Sequence, residues 1–94
     1  MLHTNHFRFY LARHAEFTFG SVNSTAARVR RVERALDADI ESLLNQLGPV
    51  ALVALITPND EAFRGQNPAA LADCRTAVAR YREFQQWRLA QNQL

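Results

Sequence analysis

The sequence predicts an all-α protein, a single compact bundle of four to five helices with a long C-terminal helix. Three observations lead there. Apolar residues recur three and four apart through most of the chain, the period of a helix buried along one face. Ser, Asn, Asp, Pro and Gly fall where helices would start and stop. The most β-branched stretch, PVALVALI at Pro49–Ile56, has no second strand to pair with, which favours a short buried helix over a strand. Ninety-four residues, 48% apolar and 21% charged, suit one domain over 1–94 with one core.

The first helix is expected from His6 to about Phe17, with Phe7, Tyr10, Leu11 and His14 on one stripe. Phe9 and Phe17 lie off it. Gly20 can end that helix, and Asn23 or Ser24 can cap the next. The second helix, Thr25–Leu36, would bury Val29, Val32 and Leu36. Asp37 or Asp39 can cap a third, Ile40–Gln46, with Ile40, Leu43, Leu44 and Leu47 facing inward. Gly48-Pro49 pairs a helix-ending residue with a helix-starting one. Thr57–Pro68 reads as a loop, with room for a short helical turn through Asp60–Phe63. Asn67-Pro68 is a cap followed by Pro at the first helical position, which starts a last helix running to about Ala90. Its stripe is Leu71, Cys74, Val78, Tyr81 and Phe84 or Gln85, continued by Trp87.

Composition excludes several functions. The lone Cys74 rules out an internal disulfide and a cysteine-rich zinc site, and its place on the stripe marks a buried thiol. The three glycines cannot make a phosphate loop, and no nucleophile elbow is visible, so no enzyme activity and no cofactor are expected. His3, His6 and His14 lack a carboxylate cluster, and no metal is expected. MLHTNHFRFY has no signal-peptide core, and VALVALI is too short to span a bilayer. A cytoplasmic protein without a membrane partner is expected.

The charge carries the functional signal. All eleven basic residues are Arg, a bias that suits phosphate but also follows from GC-rich coding. Four of them, Arg28, Arg30, Arg31 and Arg34, fall within STAARVRRVERAL at Ser24–Leu36, mostly off the apolar face. Besides an acidic protein partner, two readings are open. The arginines form a phosphate-binding face, or they form a solvated one in which Arg30 and Arg34 flank Glu33 and Arg80 sits three residues from Glu83. Trp87, near Phe84 and Tyr81, offers a different function: a helical protein-interaction module, such as a chaperone or phage adaptor, docking through its last helix.

The order of motifs resembles the N-terminal core-binding domain of tyrosine recombinases and phage integrases, a SAM-like helical domain also found ahead of some restriction-type nucleases. The matching stretches are FRFYLARH at Phe7–His14, STAARVRRVERAL at Ser24–Leu36, DADIESLL at Asp37–Leu44 and CRTAVARYREFQQW at Cys74–Trp87. Its GSVNST is longer than the family's Ser/Thr-capped turn, and the recombinase catalytic domain is not within these residues. Tyr10 and Tyr81 match helix positions and are not nucleophiles. The resemblance implies a DNA-binding module of a mobile-element protein, either standing alone or as the N-terminal domain of a longer one. It would grip double-stranded DNA through phosphates. The residues implied are Arg28, Arg30, Arg31 and Arg34, with Arg75, Arg80 and Arg82 on the last helix. Ser24 and Thr25 would add the amides of a helix N-terminus.

Overall fold

A computed structural model describes residue 1 and residues 3–92. Among the described residues five α-helices follow one another: α1 (Thr4–Arg13), α2 (Phe19–Leu36), α3 (Ile40–Leu47), α4 (Pro49–Leu55) and α5 (Pro68–Asn92). A 3-10 turn, Glu61–Phe63, lies in the α4–α5 connection. No strand occurs among the described residues. The 25-residue α5 is about 38 Å long at the helical rise per residue, and it sets the long dimension of a 42 × 29 × 18 Å molecule.

Local signals explain most boundaries. Asp39 sits in extended backbone and accepts from the Glu41 amide at 3.0 Å, which starts α3. Asp37 takes a left-handed conformation (φ +51°) and closes α2, with the Ala38 amide donating to the Glu33 carbonyl at 3.1 Å. Gly48, at φ +80°, ends α3, and Pro49 opens α4. Asp60 accepts from the Ala62 amide and Asn67 from that of Ala69, which starts the 3-10 turn and α5.

Three boundaries or faces differ from the sequence expectation. The first helix stops at Arg13, not Phe17, and the chain turns through Glu16 at φ +58°. Gly20 ends nothing. It lies in the first turn of α2, which Thr18 caps by accepting from the Ser21 amide at 3.3 Å. Glycine keeps its backbone amide and costs a helix only backbone entropy, so by itself it does not stop one. The helix therefore starts before Asn23 and Ser24 can cap it, and GSVNST is helical rather than a turn. The third difference is at the α3–α4 corner. Leu47 is 42% exposed and Val50 83% exposed, so α4 is not a buried helix. It has seven residues and meets the core through Leu52, with Ile56 just beyond it.

The core lies where α1 and α2 pack on α5, with α3, α4 and Phe63 closing the other end. Phe7 meets Tyr81 edge-on at 4.9 Å between ring centres, and Phe84 packs beside both. Leu71, Cys74, Val78, Tyr81, Phe84 and Gln85 of the expected α5 stripe are all buried, and Trp87, which continues it, is half-buried. Each such large apolar side chain contributes about 1.5–3 kcal/mol on burial.

Candidate nucleic-acid interface

α2 buries Val22, Ala26, Val29 and Val32 against the bundle, and this periodicity turns the arginines outward. Arg28, Arg31 and Arg34 follow one another at three-residue steps and line an open surface depression together with Ser24 and Ala27. The two small residues leave the space between the guanidinium groups clear. Arg30 lies beside Arg34 and borders a second depression with Glu33 and Asp37.

The partners of these arginines separate the two readings of the charge pattern. Arg31 donates through Nε to Gln66 Oε1 at 2.9 Å, which ties it to the loop before α5. Arg28 Nη2 lies 3.7 Å from Asp73 Oδ2, a loose pair between half-exposed groups. Arg30 and Arg34 are exposed and form no ion pair among the described residues. The pairing expected through Glu33 is not formed, because Glu33 points inward. Its carboxylate accepts from the Ile40 amide at 2.9 Å and lies 3.0 Å from the Met1 ammonium group. A carboxylate taken up this way is unavailable to its helix neighbours, and the two arginines face solvent alone. The other expected pair is present: Arg80 Nη1 meets Glu83 Oε2 at 3.1 Å.

Other expected site residues fall elsewhere. Ser24 is exposed in the helix interior and Thr25 is buried there, so neither offers helix-terminal amides. Arg75 donates to the Ile56 carbonyl at 2.6 Å and closes the end of α4. Arg82 donates to Gln85 Oε1 at 3.2 Å. Arg75 is thus tied to the end of α4 and Arg82 to its own helix, and neither lines the α2 depression. Arg80 does approach it: with Arg28 it borders a cleft between α2 and α5.

Cys74 is buried, and burial pushes its thiol up, away from the reactive thiolate. The histidines pack on aromatic rings. His6 meets Phe84 edge-on at 5.1 Å, and His14 lies 4.7 Å from Trp87 and stacks on Tyr10. The described residues hold no group of three His, Cys, Asp or Glu side chains able to bind a metal. Trp87, the expected docking anchor, is half-buried in this aromatic cluster against α1.

Sequence reasoning missed a second polar centre. Glu41, in the first turn of α3, lies between α3 and α5. It accepts from the Tyr81 hydroxyl at 2.6 Å and Gln85 Nε2 at 2.5 Å, and Arg88 Nη2 lies 3.0 Å away. Burial pushes the Glu41 carboxyl up, but the two hydrogen bonds and the Arg88 charge together outweigh it and hold the carboxyl below its ordinary range. Tyr81 moves the other way, its hydroxyl raised well above the ordinary phenol range by burial and by the Glu41 carboxylate. The sequence signal was faint: the Tyr81, Gln85, Arg88 spacing puts three donors on one helix face without naming their acceptor.

No family model, curated protein or solved structure matches the chain. No described helix is long and apolar enough to cross a membrane.

Proposed function

We propose that the chain is a DNA-binding helical module that grips the phosphate backbone through the outer face of α2. The observation that carries this reading is the state of Arg30 and Arg34. They are exposed and without an ion-pair partner among the described residues, while the carboxylate between them is turned into the fold. With Arg28 and Arg31 they place four arginines on one helix. Arginine is weakly hydrated and binds phosphate oxygens in a planar fork, so such a surface favours a polyanion over water. A net charge of only +2 supports local contact rather than long-range attraction. The resemblance to recombinase core-binding domains points to the same function, although GSVNST, which stands where the family has its capped turn, is helical here.

Contacts of this kind position a duplex without reading its sequence. The test is fluorescence anisotropy of a labelled duplex of about 25 base pairs, titrated at two salt concentrations; each neutralised phosphate adds about 0.9 to the salt slope. Binding at low salt that falls tens-fold at higher salt is the expected result. Absence of binding at both salts would overturn the reading and leave the arginines as a solvated face. The next search would then be for a protein partner of α5.

A further inference from the structure

A cleft of about 170 Å³ separates α2 from α5 beside the arginine face, and Arg28 borders both. Arg28 reaches it from α2 and Arg80 from α5, so two guanidinium groups converge on a space the size of a small anion. Hydroxyl groups line the wall between them. Ser21 Oγ accepts from Thr18 Oγ1 at 3.1 Å, which leaves its own proton to donate. Thr25, 5% exposed, lies in the same wall.

The arginines are held without being saturated. Arg80 meets Glu83 through Nη1 alone, and its carbon centre sits 5.6 Å from the middle of the Phe17 ring, which fixes its direction. Nε and Nη2 have no partner among the described residues. The cleft contains one competitor, Asp73, which is more than half exposed and approaches Arg28 no closer than 3.7 Å. An anion that hydrogen-bonds both guanidinium groups would displace so loose a contact.

We propose that this cleft binds a phosphate monoester. Resting on the DNA-binding reading above, its source is the terminal phosphate of a strand lying on the α2 arginines. The walls decide the class. A monoester presents three unsubstituted oxygens on a compact group and fits between two helices. An internal diester carries sugars on both sides and suits the open α2 face.

Two titrations test this. In the first, inorganic phosphate is added to the whole chain and backbone amide shifts are followed. Saturable shifts at Ser21, Thr25 and Thr76 that weaken at least fivefold in Arg80→Gln are expected. Asp73→Asn, which removes the competitor, should tighten binding at least twofold and keeps the test decisive if Arg80→Gln fails to fold. No saturable shift at these residues would overturn the cleft as an anion site. In the second, duplexes with a 5′-phosphate, a 3′-phosphate or neither are compared at one salt concentration. At least fivefold tighter binding of one phosphorylated duplex, lost in Arg80→Gln, is expected. Equal binding of all three, with phosphate still bound in the first titration, would overturn the strand end as the source and assign the cleft to free phosphate. Absence of all duplex binding would overturn the DNA-binding reading, and the first titration would still judge the cleft.

Discussion

The outer face of α2 and the Glu41 centre use the same residue types in opposite ways. On α2, Arg30 and Arg34 stand in solvent beside a glutamate that has turned away from them. Between α3 and α5, Arg88 is drawn against Glu41, and Tyr81 and Gln85 complete the carboxylate's hydrogen bonding. An arginine engaged by a carboxylate, with its guanidinium carbon 5.2 Å from the centre of the Phe84 ring, supports the fold. An arginine free of partners keeps its full hydrogen-bonding capacity for a ligand. The lesson is that arginine count says little about binding until each guanidinium is assigned a partner.

The contrast predicts opposite outcomes for substitutions in the two regions. The largest expected effect is at the core beside Glu41. Tyr81→Ala removes a fully buried ring and its hydrogen bond, and should cost about 4 kcal/mol in chemical denaturation. Glu41→Ala comes next, at about 2 kcal/mol, because it leaves the Tyr81 hydroxyl and the half-buried Arg88 without their acceptor. A loss below about 0.5 kcal/mol, the range of an ordinary surface change, would break the comparison.

Acid sharpens it further. The folded-state value of Glu41 lies below its unfolded value near 4.5. Its contribution is therefore present above that pH and lost as pH falls through the folded value. The melting temperature of the wild-type chain should fall more steeply than that of Glu41→Gln between about pH 5 and pH 3. For Tyr81 the sign reverses. Its folded value is raised, so its contribution is complete below the unfolded value of 10.0 and declines as pH rises beyond it.

On α2 the effects should appear in binding and spare the fold. Arg30→Ala with Arg34→Ala should change stability by less than about 0.5 kcal/mol. The same pair should lower the salt slope of DNA binding by about 2, one unit for each lost phosphate contact. A double variant that destabilises the fold while binding DNA unchanged would merge the two regions and remove the basis of the proposed interface. The smallest effect is expected at the α3–α4 corner. Val50→Thr, on a side chain 83% exposed, should leave melting within about 0.5 kcal/mol of wild type.

Much of the fold was legible because its signals are local. Asp39, Gly48-Pro49 and Asn67-Pro68 mark helix ends through hydrogen bonds and backbone angles within two or three residues. The α5 stripe followed from periodicity alone. Local signals also misled where two competed: Gly20 resembles a stop, yet Thr18 caps the helix that contains it. The α3–α4 corner was misread because an apolar run does not say how much of it a neighbour covers, and only Leu52 and Ile56 there are fully covered.

By itself the sequence determined an all-helical chain, its long last helix and an arginine-rich outer face on α2. Helical period and capping act over a few residues, and their physics is contained in the order of side chains. Tertiary structure alone decided which charges are free. Glu33 reaches the start of α3, and Glu41 meets Tyr81, Gln85 and Arg88 from the far end of the chain. Such partners are chosen by how the helices cross. Whether an arginine serves the fold or waits for a phosphate depends on that choice.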